Sequence, residues 1–359
     1  MRKFDFYMLS FLRFILWPFS IIYGFIICFR NFLYDRGIFK STKFSFPVVV
    51  VGNLAVGGTG KSPMTELLVR MLKDNYKLAI LSRGYGRKTS GFLYVSPSDS
   101  AQKVGDEPLQ FKNKFPEVTV AVCEDRVLGV EKLQKEHQLV ILDDAYQHRA
   151  LRPGFSILLV EYKSLFQPKF LLPTGDFRDT FSQKKRADAI VISKCPISLN
   201  ENEKIRALSR LDAKPNQSVF FSFLAYDHPH SVFTADSAEI PITAEDDILL
   251  VTGIANPKPL LQHLEGKSRS LKLLQYPDHH PFSEKDIRTI LEEYRSIASQ
   301  QKYILTTEKD YQRFKEFSQH FMDIPAREIR VIRTETDFYD NGKETLSSLL
   351  YQYCEENLR

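Results

Sequence analysis

Short, wholly apolar runs recur along the chain, each bounded by glycine, proline or polar residues. Residues 46–51 read FPVVVV, a continuous, largely β-branched stretch of the kind that forms a strand buried on both faces. A glycine-rich turn follows directly, and Leu67, Leu68, Met71 and Leu72 then take helical spacing within residues 63–73. Residues 77–81 return to strand character, which completes a strand–loop–helix–strand unit. Comparable runs at 118–122, 139–142, 157–160 and 189–192, separated by helix-like or loop-like sequence, predict a mostly parallel α/β sheet flanked by helices.

Around residues 218–224 (SVFFSFL) a short aromatic strand gives way to polar loop residues, which places a domain connection there. Beyond it, 248–252, 270–274 and 303–306 predict strands, and 283–298 and 345–356 predict helices. Ser283, with Asp286 three residues on, marks a helix start. The expected organisation is an N-terminal membrane-associating helix (1–40), a P-loop NTPase-like domain (41–217) and a smaller C-terminal α/β domain (218–359). A chain of 359 residues accommodates two compact units and an appendage.

The N-terminal stretch breaks this pattern. No residue from 14 to 29 is charged, an apolar run of about 16 residues against the roughly 20 needed to cross a bilayer. Pro18 and Gly24 interrupt it, Arg13 and Arg30 close it, and Trp17, Tyr23 and Tyr34 suit a headgroup region, so the expectation is an interfacial anchor and not a span. A secretory signal is the rival, opposed by the lack of a small-x-small cleavage site after Cys28. A helix buried on its own domain has the same pattern.

The formal charge of +5 is too small to point to nucleic acid, and no such partner is expected. Much of the excess sits near the start, at Arg2, Lys3, Arg13, Arg30, Arg36, Lys40 and Lys43, against only Asp5 and Asp35, which suits an anionic lipid surface. Cys28, Cys123, Cys195 and Cys354 are scattered without a Cys-x-x-Cys pair, so neither a disulfide framework nor a zinc site is indicated.

The sharpest chemical motif is GNLAVGGTGKSP (52–63), between the buried strand and the helix. Phosphate oxygens need backbone N–H donors at close range, so the loop must carry small side chains. A helix start adds a favourable dipole, Lys61 a charge and Ser62 a hydroxyl for magnesium. Val56, Gly57, Gly58, Thr59, Gly60, Lys61 and Ser62 are the expected ATP-binding residues. The strict phosphate-loop pattern wants glycine where Ala55 stands. In QLVILDDAYQH the strand at 139–142 ends in Asp143 and Asp144, as a magnesium-binding strand beside such a loop does. VGDEPLQ places Asp106 and Glu107 between Gly105 and Pro108, which reads as a turn whose acids serve magnesium or an acceptor hydroxyl.

These three motifs, in this order, resemble the tetraacyldisaccharide 4′-kinase family, the lipid A 4′-kinases of Gram-negative bacteria. The likeness continues through SRGYGR (82–87), CEDR (123–126), LPTGDFRD (172–179), VTGIANP (251–257), PDHHPFS (277–283) and TTEKD (306–310). Two places depart from the family's commoner wording: DDAYQH stands for DDGFQH, and phenylalanine precedes the arginine of LPTGDFRD where leucine is common.

The resemblance implies transfer of the ATP γ-phosphoryl group to the 4′-hydroxyl of a tetraacyldisaccharide 1-phosphate at the cytoplasmic face of the bacterial inner membrane, by a monomer with Mg2+ as cofactor. It implies Asp106 as the base, assisted by His279 with His280 as rival. Lys61 would sit on the β- and γ-phosphates, with Ser62 and one of Asp143, Asp144 or Glu107 on magnesium. Asp144 is also counted among the catalytic residues, and Arg126, Gln147 and Arg178 among those facing substrate. Simple salt bridging accounts equally well for the two arginines. A membrane-associated P-loop ATPase or GTPase switch without a lipid acceptor is the alternative. Ser193-Lys194-Cys195-Pro196 does not match a guanine reader, and Val56 stands where a MinD-like partitioning ATPase carries its extra lysine.

Overall fold

Four consecutive valines leave β1 (Val48–Asn53) without a solvent-facing side, and in a computed structural model all six of its residues are buried. The structure describes residues 15–231, 240–254, 256–277, 280–321 and 323–358. By internal contacts the chain divides into two compact units, Met1–Phe223 with Thr336–Arg359, and Leu224–Glu335.

The first unit is built on β1, β2 (Leu78–Ser82), β3 (Leu93–Tyr94), β4 (Thr119–Val122), β5 (Leu139–Asp143), β6 (Phe155–Glu161), β7 (Ala189–Ser193), β8 (Ser218–Tyr226) and, far along the chain, β13 (Thr334–Phe338). Among the described residues these nine strands form one sheet in the order β13-β8-β7-β6-β1-β5-β2-β4-β3. From β8 through β4 neighbouring strands pair parallel, and β3 pairs antiparallel with β4. β5 lies on one side of β1 and β6 on the other, so the chain reverses direction around β1 and opens a crevice at the carboxyl ends of these strands. Alternate residues feed two cores: Val49 and Val51 pack with Met64 and Leu68 of α2 (Lys61–Leu72), and Val48 and Val50 face the opposite layer.

The second unit repeats the principle on a smaller scale. β9 (Asp247–Thr252), β10 (Ser270–Gln275), β11 (Lys302–Thr307) and β12 (Ile329–Ile332) run parallel in the order β12-β11-β9-β10, and a short strand, His230–Ser231, lies antiparallel on β12. Its helix Glu284–Ser296 begins as expected: Ser283 accepts from the Asp286 amide while the Asp286 carboxylate reaches back to the Ser283 amide.

The short aromatic strand expected at residues 218–224 is β8, and the unit boundary falls inside it, between Phe223 and Leu224. Two expectations change. The end of the chain belongs to the first unit, where the helix Gly342–Leu358 buries Leu346, Leu350 and Cys354 against the β1 core and Tyr351 donates to Met71 O at 2.7 Å. Helical periodicity says which face is apolar, not which sheet covers it. Asp106 and Glu107 are the first residues of α3 (Asp106–Lys114), not part of a turn; acids in a first turn complement the helix dipole.

Candidate active site

The site grows from the end of β1. Gly52 has no side chain because the loop after β5 lies directly against it: a Cβ there would sit 2.6 Å from Tyr146 Cβ. Asn53 then ties the surrounding loops together. Its Nδ2 donates to Thr59 Oγ1 at 2.8 Å, its carbonyl accepts from Gln147 Nε2, and its Oδ1 accepts from Arg178. Ser193 Oγ at the end of β7 donates to Thr59 O at 2.8 Å, which braces the phosphate loop from the other side.

Ala55 is where the strict pattern wants glycine. The chain is extended there and bridges to Phe177, with Arg178 N donating to Leu54 O (2.8 Å) and Val56 N to Asp176 O (2.7 Å), so it does not demand glycine's freedom. Gly60, by contrast, has φ +94° as it turns the loop into α2. Val56, Gly57 and Gly58 are exposed, and among the described residues the amides of Gly58 and Gly60 donate to no backbone carbonyl. With the orphan amides of the α2 first turn they form a donor-rich, anion-receptive rim.

Lys61 Nζ lies 3.8 Å from Asp144 Oδ2, and Arg178 donates to both Asp144 oxygens at 3.0 and 3.2 Å. Asp144 has φ +47°, which turns the chain sharply after β5. Ser62 Oγ donates to Glu107 Oε1 at 3.0 Å. Asp143 is almost fully buried and accepts from Thr65 Oγ1 at 3.1 Å. Burial, then the charges of Glu107 and Asp144, push its carboxyl well above the usual carboxylate range, and Lys61 opposes them. Ser62, Glu107, Asp143 and Asp144 thus offer hard oxygen donors with an excess of negative charge, which fits magnesium, an ion that completes its shell with phosphate and water. Among the described residues, no three carboxylate, imidazole or thiol groups converge on one point.

Asp106 is exposed and has no side-chain partner among the described residues. The SRGYGR turn abuts it, since a Cβ on Gly105 would meet Gly84 and Tyr85 backbone at 3.1 Å. The last three residues of CEDR are placed differently. Glu124 holds Arg87 at 2.5 Å, Asp125 caps α4 (Arg126–Leu133), and Arg126 is buried at 5% exposure with its Nε unpaired. Burial and the nearby Arg83 charge lower the Arg126 pKa. His148 sits in the same cationic field, where burial and Arg126 hold it neutral, with its pKa lowered to about 4.

The structure therefore brings Lys61, Ser62, Glu107, Asp143, Asp144 and Arg178 into one network. Gln147 is engaged with Asn53 through its amide nitrogen, while its carbonyl accepts from Arg30 at 2.8 Å. His279 lies outside the described residues. His280 Nε2 is 3.1 Å from Asp286 and its ring stacks on Tyr276. Sequence reasoning missed Asn53, Thr65, Arg83 and His148; only the Asn53 position, directly after a buried strand, carried a local signal. The departure to DDAYQH is absorbed: Ala145 does not need a positive φ, and the Tyr146 hydroxyl donates to Gln183 O at 2.8 Å.

The N-terminal helix α1 (Trp17–Asp35) reaches this network with its polar side. Tyr23 OH donates to Arg178 O (2.7 Å), Asn31 to Asp179 (2.8 Å), and Arg30 to Gln147. Its apolar side chains point away from the protein, with Phe25 73% and Phe29 63% exposed. No helix among the described residues is long and apolar enough to cross a membrane.

A family model for tetraacyldisaccharide-1-P 4′-kinase matches residues 12–354. The tetraacyldisaccharide 4′-kinase of Flavobacterium johnsoniae is 41% identical, over 98% of this chain and 99% of that one. That of Bacteroides thetaiotaomicron is 38% identical, over 96% and 94%. The crystal structure of LpxK from Aquifex aeolicus in complex with ATP superposes with a TM-score of 0.70 at 30% identity, covering 95% of this chain and 99% of that one. A nucleotide switch without a lipid acceptor is not favoured by these matches. A phosphate loop braced by Asn53 and Ser193, acids arrayed beside Lys61 and full-length kinship all lead to one assignment: the chain belongs to the tetraacyldisaccharide-1-phosphate 4′-kinase family.

Proposed function

We propose that the site transfers the γ-phosphoryl group of ATP to the 4′-hydroxyl of a lipid-linked tetraacyldisaccharide 1-phosphate, with Mg2+ as cofactor, at the cytoplasmic face of the inner membrane. The observation that carries this reading is the reversed polarity of α1. Its polar residues bond to the Arg178 and Gln147 loops that frame the phosphate loop, while its phenylalanines face outward, so a lipid surface and the phosphate loop meet on the same loops.

The phosphate-loop amides and Lys61 hold the β- and γ-phosphates. Ser62, Asp143, Asp144 and Glu107 supply the magnesium donors, and the bound ion would offset charge on the transferring group. Arg178 keeps Asp144 turned toward Lys61. A sugar hydroxyl is a weak nucleophile whose proton must leave during attack. Asp106, exposed and unpaired, accepts that proton. On the family resemblance alone, His279 assists it. Arg126, buried and with its Nε unpaired among the described residues, meets a phosphate of substrate, and Gln147 orients that wall of the site.

Purified protein in detergent, given labelled ATP and the disaccharide acceptor, tests this reading. Lys61→Ala and Asp106→Ala should each abolish turnover, and ADP release should depend on acceptor. Substantial turnover by Asp106→Ala would move the base elsewhere, and acceptor-independent ADP release would remove the lipid acceptor from the reading.

A further inference from the structure

The outward apolar surface does not end with α1. Ser20 Oγ lies within hydrogen-bond distance of Leu171 O (3.1 Å) and Thr174 Oγ1 (2.7 Å) and accepts from the Thr174 amide (2.9 Å), and Gly24 is so close that a Cβ would lie 3.1 Å from Leu171 Cδ1. The segment fixed beside the helix in this way presents Phe166 and Phe170, 40% and 51% exposed. A cavity of about 630 Å³ is lined by Gln167 and Phe170 of this segment together with Thr59 and Leu159.

Charge follows the same surface. Between residues 163 and 175 the chain has two lysines, Lys163 and Lys169, and no acid. The neighbouring helix α5 (Glu201–Leu211) places the Arg206 guanidinium 5.9 Å from the centre of the Phe166 ring, and its Arg210 lies within electrostatic reach of Lys169. Ile205 and Leu208 of α5 are exposed as well. Aromatic side chains with cations around them are what an interface of acyl chains beneath anionic headgroups accommodates.

We propose that the segment carrying Phe166 and Phe170, together with Arg206 and Arg210, is a second membrane-contact element that docks on an anionic bilayer beside α1. This rests on the reading of α1 as lipid-bound. One helix lying in an interface leaves the body free to roll about the helix axis, and a second contact beside it fixes that roll. The same stretch of chain continues to Asp176 and Arg178, which are hydrogen-bonded to Val56 and Leu54, so the docked element also links the bilayer to the phosphate loop.

Trp17 is the chain's single tryptophan, which makes the two contacts separately readable. In full-length protein Trp17 reports α1, and in Trp17→Phe/Phe170→Trp protein the new indole reports the second element. With vesicles of phosphatidylcholine and phosphatidylglycerol, both indoles should shift to the blue and be quenched by brominated lipid. Arg206→Gln/Arg210→Gln should weaken binding to these vesicles by about twenty-fivefold, about fivefold for each cation removed, and leave binding to phosphatidylcholine alone unchanged. Blue-shifted, quenched Trp17 with an unresponsive indole at position 170 would overturn the second contact and leave α1 standing. If neither indole responds, the α1 reading fails and takes this proposal with it. If Phe166→Ser/Phe170→Ser abolishes self-association in sedimentation without changing vesicle binding, the surface joins two copies of the chain and the proposal is wrong.

Discussion

Each unit buries an aspartate near the carboxyl edge of its parallel sheet, and the two are treated in opposite ways. In the smaller unit, Asp310 Oδ2 accepts from Thr252 Oγ1, the Gly253 amide and Thr307 Oγ1 at 2.8–3.1 Å, while Oδ1 faces Arg313 at 3.3 Å. In the larger unit, Asp143 accepts from Thr65 alone among the described side chains, with the charges of Glu107 and Asp144 added against it. A saturated carboxylate holds loops in place. An under-satisfied one in a field of like charge keeps its oxygens available to a cation, and the fold bears that unfavourable burial until one binds. On the proposed function TTEKD serves as scaffold and DDAYQH as chemistry, although both are acidic motifs after an apolar strand.

The most severe test of this contrast is Lys61→Ala, which removes the cation opposing the acids. Turnover should fall about a thousandfold or more in the labelled-ATP assay, with the melting temperature close to that of the unmodified protein. Asp106→Ala should lower kcat by about a hundredfold to ten-thousandfold with little change in ATP affinity by calorimetry, as expected for loss of a proton acceptor.

Asp143→Asn and Asp310→Ala separate the two aspartates directly. The first should lower kcat by about a hundredfold while the protein melts at the same or a higher temperature, because an amide of the same shape replaces a carboxyl whose ionisation is opposed by burial and by the neighbouring acids. The second should destabilise the protein by about 3 kcal/mol in denaturant titration, because several buried donors lose their acceptor. Equal effects on stability would break the comparison. Gly52→Ala, which forces a Cβ into Tyr146, should destabilise by about 1–3 kcal/mol.

The mildest effect concerns His148. Its folded pKa of about 4 lies below the ordinary 6.5, so between those values the unfolded chain binds more protons, and this contribution to stability is lost as pH falls from about 6.5 toward about 4. His148→Gln should flatten that part of the melting-temperature profile, measured against the unmodified protein in the same buffers.

Much of this was legible in the residues. Four valines followed by a glycine-rich loop and Lys61-Ser62 are local statements that depend on a few consecutive residues, and the buried strand and the helix start appeared where expected. The acids of GDEP were misplaced in a turn, because Pro108 is as compatible with the first turn of a helix as with a loop. Asn53 carried only the signal of its place after a buried strand and His148 none, because the partners that give them weight, Gln147 and Arg178 for the one and Arg126 for the other, are distant in the chain.

The sequence by itself determined the strand and helix periods, the phosphate loop, the order of the acidic motifs and the apolar character of residues 14–29. Tertiary structure decided which unit the last helix joins, which acid is saturated and which is left wanting, and that α1 turns its polar side inward. Periodicity and motif are written in neighbouring residues. Partnership and orientation are settled only when packing chooses among faces that the chain leaves equally available.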